Sequence, residues 1–164
     1  MKLRKLKLKD ADLMLEWMHD PFVVKDLQAD FATKTITDCE AFINMAQNQV
    51  HNVHFAIVDE ADTYMGTVSL KHITNECAEF AIAIRKSAMG KGFSKFGMAE
   101  IIRFGFENLD LKYIYWCVSA ENVRAVRFYD KNGYKRVNAS ELPIVGYDSA
   151  QIKSYIWYKK AASI

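Results

Sequence analysis

Two prolines, seven glycines and three cysteines in 164 residues leave this sequence with few breaks and no obvious cross-links. No proline-rich or low-complexity stretch, internal repeat or linker interrupts it, so one domain over residues 1–164 is expected, a length that suits one well-buried core. Cys39, Cys77 and Cys117 are odd in number, widely spaced and without a C-x-x-C pair. That argues against a disulfide framework or zinc knuckle and leaves buried free thiols as the expectation. His19, His51, His54 and His72 fall mostly outside any helical ligand spacing such as H-E-x-x-H, and His51 and His54 flank a predicted strand start, so no metal is expected. No segment reaches the roughly 18 apolar residues of a membrane span, and the start lacks a signal peptide's apolar stretch. A cytoplasmic protein with no membrane partner is the expectation. Charge of one sign is scarce too: 22 basic against 20 acidic residues leave +2, too little to suggest a nucleic-acid partner. The basic opening "MKLRKLKLK" alternates with Leu3, Leu6 and Leu8, as a half-solvated strand with lysines on its wet face would.

What is present is periodicity. "KDADLMLEWMHDP" reads as a helix through Leu13, Leu15, Trp17 and Met18 that stops at Pro21. In "TITDCEAFINMAQN", Thr37 and Glu40 form a capping-box pattern, predicting a helix from about 37 to 49. The stretches "NVHFAIVDE", "TYMGTVSLKHI" and "CAEFAIAIRK" are rich in β-branched and aromatic residues and separated by short turns, predicting three consecutive antiparallel strands. A helix over about 91–108 follows, with Gly97 and Gly105 placed where it would lie close to a sheet. "KYIYWCVS" is a nearly continuous apolar run, which suggests a central strand buried on both faces. "SAENVRAVRFYDKNG" is a capped helix ending at Gly133, and "GYKRV" and "SYIWYKK" are the last strands, with a loop through Pro143 and Gly146 between them. The order βααβββαβαββ predicts an α/β (α+β) domain: a mixed, mostly antiparallel sheet of six to seven strands with about four helices.

The stretch "MGKGFS", residues 89–94, ends a strand and opens a helix. Unpaired N–H groups and the helix dipole make such a turn an anion site; Gly90 and Gly92 let a phosphate approach, and Lys91 adds charge. It lacks the G-x-x-x-x-G-K-[ST] pattern, and taken alone it serves equally as a tight turn. On the following capped helix, Asn122, Ala125 or Val126, and Tyr129 share one face, as site residues or as a first turn and core. Alternation puts Cys77, Glu79, Ala81 and Ala83 on one face of their strand, where Glu79 looks either into a pocket or into solvent.

Together these segments resemble the GNAT superfamily of N-acetyltransferases over nearly the whole chain. The family's phosphate turn reads Q/R-x-x-G-x-G/A, and here Met89, Gly92 and Ser94 occupy those positions, the first and last being departures. The resemblance implies that acetyl-CoA binds against Ala83, Ile84, Arg85, Met89, Gly90, Lys91, Gly92, Phe93 and Ser94, with Asn122 on its pantetheine arm. It implies Tyr129 as the general acid near sulfur and Glu79, with Glu76 as substitute, as general base or water-aligning group. Chemistry asks for these parts. An alkylammonium of pKa about 10 must lose a proton before attack, and the developing oxyanion needs donors, sought in backbone N–H groups around Ala83–Arg85. A thiolate of pKa about 8.5 then leaves. Direct transfer in a ternary complex is expected; Cys117 as nucleophile is disfavoured because no His is placed to pair with it. "LEWMHDPFVVKDL" resembles the Trp-x-x-Asp/Asn-Pro pattern of a subgroup that acetylates ribosomal-protein N-termini, amino sugars, nucleotide-linked sugars or antibiotics. That implies Trp17, Asp20, Phe22 and Phe31 around a primary amine. A small molecule such as an amino sugar is the leading expectation, ahead of a protein N-terminus and of a non-catalytic acyl-CoA-binding domain; a homodimer is left open.

Overall fold

The β-branched and aromatic run from Val53 to Ile84 forms β2 (Val53–Val58), β3 (Tyr64–Lys71) and β4 (Cys77–Ile84) in a computed structural model that describes residues 1–163. They pair antiparallel, and β1 (Lys2–Lys5) pairs antiparallel to β2 at the edge. Its strand is shorter than the basic opening suggested: Leu6 turns into the core and Leu8 lies exposed in a 3-10 turn. α1 (Ala11–Met18) buries Ala11, Met14, Trp17 and Met18, the three- and four-residue spacing of one helical face. Pro21 does not only end that helix. It opens a one-turn helix, α2 (Pro21–Val24), at the first position, where its fixed φ and missing N–H cost nothing. α3 (Ile36–Ala46) is capped two residues before the predicted cap: Thr35 and Asp38 cap it reciprocally, so Thr37 lies inside.

α4 (Phe93–Asn108) crosses from β4 to the parallel β5 (Tyr113–Ser119). It lies tight on the sheet at Gly97 and Gly105, where an added Cβ would run into Ile57 and Ile114. α5 (Val123–Lys131), β6 (Lys135–Val137), α6 (Ser149–Ser154) and β7 (Tyr155–Ala161) complete the chain. α6 falls where a loop was predicted; Asp148 and Gln151 form its capping box. With α2 it raises the helix count from the four expected to six among the described residues. The sheet has seven strands in the order β1-β2-β3-β4-β5-β7-β6, so the last strand inserts between β5 and β6. α4 and α5 pack on one face around Ile57, Leu70, Ile101, Ile114 and Trp116, while α1 and α3 cover the other around Ala56, Val58 and Tyr64.

One irregularity positions everything that follows. β4 and β5 pair only at Cys77–Glu79 against Tyr113–Tyr115. Beyond that point β4 stays with β3 as far as Ile84, and β5 stays with β7 as far as Ser119. The sheet therefore opens between its two central strands.

Candidate active site

A cavity of about 440 Å³ occupies this opening. Residues 79–83 of β4 and 116–118 of β5 form its walls; Asn122, Ala125 and Tyr129 of α5 close one end, and Trp17, Phe31 and Phe42 lie at the other. Only two buried side-chain polar atoms among the described residues lack a hydrogen-bond partner, Glu79 Oε2 and Trp116 Nε1, and both belong to residues lining this cavity. Such groups are costly to leave unpaired, which makes the opening a candidate ligand site.

The glycine turn sits at the β4 exit. Gly90 and Gly92 adopt φ of +76° and +88°, and nothing lies within 4 Å of a Cβ placed on Gly90. Gly92 is the N-cap of α4 and supplies no side-chain cap, so the first-turn N–H groups of Phe93, Ser94 and Lys95 stay open for an anion. Phe93 is buried beneath the turn while Lys91 is exposed beside it. Met89 does not stand in for the missing Gln or Arg directly; its sulfur receives an N–H of Arg124, 3.2 Å away on α5.

Backbone donors expected around Ala83–Arg85 divide by register. The Arg85 N–H donates to Met65 O at 3.0 Å, and the antiparallel alternation then gives the Ala83 and Ala81 N–H groups to β3 as well. Those of Ile84 and Ile82 turn toward the opening. The Arg85 side chain is also engaged, in a two-pronged pair with Glu16 at 2.8 and 3.0 Å and a bond to Tyr64 O. The expectation that Arg85 serves the cofactor therefore gives way to a structural bracing of β4 on α1.

At the α5 end, Asn122 is the N-cap, its side-chain oxygen accepting from the Ala125 N–H at 3.2 Å, while the residue still borders the cavity. Tyr129 is buried against Trp116, Tyr134 and Tyr158 with its residue reaching the cavity wall, and burial pushes its phenol above the ordinary value. Cys117 is half-buried and lines the cavity rather than lying sealed in the sheet. Burial pushes its thiol up to about 11, which keeps it protonated and unreactive at neutral pH.

Glu79 is 2% exposed, so the solvated alternative is excluded. The Tyr147 hydroxyl, from the segment between β6 and α6, donates to its Oε1 in a short hydrogen bond. Lys71 Nζ lies 3.8 Å from Oε1 and His72 Nε2 3.7 Å from Oε2. The Tyr147 oxygen also lies 2.7 Å from Gln28 Oε1, and Gln28 Nε2 donates to Cys117 Sγ at 3.0 Å. Sequence reasoning missed Tyr147 and Gln28, because loop tyrosines and glutamines carry no pattern of their own. Lys71 had a signal: "GTVSLK" alternates so that Thr67, Ser69 and Lys71 share one face.

On the acceptor side, Trp17 and Phe31 line the cavity edge to face, with ring centroids 5.0 Å apart, and Trp17 Nε1 donates to Tyr64 Oη at 3.0 Å. Asp20 does not join them. Its carboxylate caps α2 by accepting from the Phe22 N–H at 2.9 Å, and neither Asp20 nor the exposed Phe22 borders the cavity.

Comparisons with known proteins bear on the family and the fold. A relative in Bacillus licheniformis, an N-acetyltransferase, is 28% identical over 82% of this chain and 78% of its own. A spermidine N(1)-acetyltransferase of Vibrio cholerae is 28% identical over 76% of this chain and 67% of its own. Among solved structures, that of spermidine N-acetyltransferase from Vibrio cholerae in complex with CoA and spermine superposes with a TM-score of 0.75 at 22% identity, covering 96% of this chain and 92% of that one. The model of the acetyltransferase (GNAT) domain family matches residues 1–135, most of the chain. The protein thus belongs to the GNAT acetyltransferases and is an acetyl-CoA-dependent N-acetyltransferase.

Proposed function

We propose that the protein moves the acetyl group of acetyl-CoA directly to the primary amine of a small molecule, with amino sugars as the leading class. The observation that carries this reading is the opening between β4 and β5, which sets a buried carboxylate, Glu79, at the meeting point of an α5-lined arm and an aromatic-walled chamber. The chain's groups fit acetyl-CoA: a glycine cradle with open first-turn N–H groups for its pyrophosphate, and free strand N–H groups beside the opening for its pantetheine arm. Bound there, acetyl-CoA supplies an activated acyl group on a leaving thiolate.

In this reading Phe93, Ser94 and Lys95 hold the pyrophosphate through backbone N–H groups, and Gly90 and Gly92 keep the approach clear. The side-chain nitrogen of Asn122, left free by its capping oxygen, holds the pantetheine arm. Glu79 takes the ammonium proton, directly or through water, with Tyr147 fixing one carboxylate oxygen so that the other serves the amine. The Ile84 N–H, turned toward the opening, stabilises the carbonyl oxygen as charge develops. Tyr129, kept protonated by burial, returns a proton to sulfur.

A polyamine is a second reading, favoured by the spermidine acetyltransferase among the relatives. Against it stand Lys34 and Lys71, which line the chamber along with Asp26, Asp38 and Glu79. Asp38 is already taken up in capping α3, and Glu79 faces Tyr147 and Lys71, so for a substrate with several positive charges Asp26 is the one uncommitted carboxylate of these three. Amine-dependent CoA release from acetyl-CoA, screened over amino sugars, polyamines, aminoglycosides and N-terminal peptides, tests the proposal. Turnover with amino sugars is expected; release with peptides alone would move the assignment to a protein N-terminus. Failure to bind acetyl-CoA at millimolar ligand would sink it altogether.

A further inference from the structure

The floor of the chamber is the face of β3 that carries Thr67, Ser69 and Lys71, lying opposite Ala83, Ala81 and Glu79 of β4. The two alanines leave the hydroxyls of Thr67 and Ser69 uncovered from that side. Each hydroxyl ends a hydrogen-bond chain that has a direction.

The first chain starts at Trp17, whose indole nitrogen can only donate and does so to Tyr64 Oη at 3.0 Å. Tyr64 is 1% exposed, so its own proton must find an acceptor inside the protein, and Thr67 Oγ1 lies 2.6 Å away. Thr67 therefore accepts from Tyr64 and keeps its proton for the chamber. The second chain runs the other way. His54 Nε2 faces Gln49 Oε1 at 3.2 Å, an acceptor, which places the ring proton on Nε2. Burial, with Lys71 nearby, lowers this imidazole to about 4, so at neutral pH it holds one proton only. Nδ1 is then an acceptor, and Ser69 Oγ, 2.6 Å away, donates to it. Ser69 is left with lone pairs for the chamber.

Neighbouring positions on one strand face thus present a donor, then an acceptor. Residues two apart on a strand are separated by about 6.8 Å, and two O–H···O bonds in series span about 5.5 Å. That separation is more than one hydroxyl group can bridge, so each side chain pairs a hydroxyl of its own: Thr67 donates to one and Ser69 accepts from another. A bare alkyl chain leaves both unpaired, and an ammonium satisfies only Ser69. We infer that Thr67 and Ser69 form a subsite that reads hydroxyl groups of the acceptor, one at each position, making the substrate an amine on a hydroxylated frame. This inference rests on the small-molecule reading of the chamber.

The test compares 2-, 3- and 4-aminocyclohexanol with cyclohexylamine, following CoA release from acetyl-CoA. At least one amino alcohol is expected to exceed cyclohexylamine in kcat/KM by about tenfold or more, since a site built to pair a hydroxyl discriminates against its absence. Ser69→Ala and Thr67→Val are each expected to bring that ratio toward one for the isomers whose hydroxyl the removed side chain pairs. Thr67→Val strands the buried Tyr64 hydroxyl, so calorimetric affinity for acetyl-CoA reports whether it folds. Ser69→Ala removes a single oxygen and carries the test if it does not. Equal kcat/KM for all four amines in the wild-type enzyme, or ratios unchanged for every isomer in Ser69→Ala, overturns the subsite while leaving small-molecule acetylation standing. CoA release with none of these amines removes both.

Discussion

Replacing Tyr147 by Phe deletes one oxygen and keeps the ring, whose edge-to-face contacts with Tyr155 and Trp157, at centroid distances of 6.0 and 5.4 Å, need no hydroxyl. What is lost is the hydrogen bond to Glu79 Oε1, and Oε2 already has no partner. The carboxylate then relies on Lys71 and His72 at 3.8 and 3.7 Å, beyond hydrogen-bond reach. A hydrogen bond to a charged group contributes about 1.5–3 kcal/mol. If Tyr147 holds the carboxylate for proton transfer, kcat/KM with the best amine falls roughly ten- to 150-fold while acetyl-CoA affinity holds. If the whole loss falls on folding instead, Tm drops by roughly 3–12 °C and the remaining folded enzyme turns over normally. A double-mutant cycle with Glu79→Gln separates these outcomes. With the carboxylate gone, Tyr147→Phe should change kcat/KM by less than about threefold, because the pair acts as one unit. Full activity in Tyr147→Phe, or independent effects of the two substitutions, would refute the positioning role.

Tyr129→Phe is expected to lower kcat by about 10²-fold or more with acetyl-CoA affinity unchanged in calorimetry, and equal turnover would make Tyr129 a core residue only. Gly92→Val should abolish acetyl-CoA binding while circular dichroism stays native-like: the φ of +88° makes the branched side chain strained, by about 1–2 kcal/mol, and sets it in the phosphate approach. Retained affinity would disprove the turn assignment. His54 binds its proton less readily when folded, its value lowered from 6.5 to about 4. The unfolded chain therefore takes up the proton first as pH falls. The contribution of neutral His54 to stability is full above about 6.5 and is lost progressively toward 4. The Tm of His54→Gln should accordingly fall less than that of the wild type across this window; parallel curves would show that His54 does not govern it.

Much of the framework was legible along the chain. The alternation in "CAEFAIAIRK" put Glu79, Ala81 and Ala83 on one face of β4, and the paired glycines of "MGKGFS" took the positive φ their turn demands. The limits were local competition and distance. Asp20 matched a site motif but its carboxylate found the nearest unpaired N–H, that of Phe22, and of two equally spaced capping pairs, Thr35 with Asp38 and Thr37 with Glu40, the first caps α3. Tyr147 and Gln28 showed nothing in sequence, since the groups they meet are 68 and 119 residues away along the chain.

Strand and helix periods, caps and the glycine turn are set by contacts between residues two to four apart, and the sequence by itself determined them. The sheet order with β7 between β5 and β6, the parting of β4 from β5 after Glu79, and the directed chains that end at Thr67 and Ser69 belong to the tertiary structure. The reason is physical: each depends on which buried donors and acceptors lie within about 3 Å of one another once the core has closed, and only packing decides that.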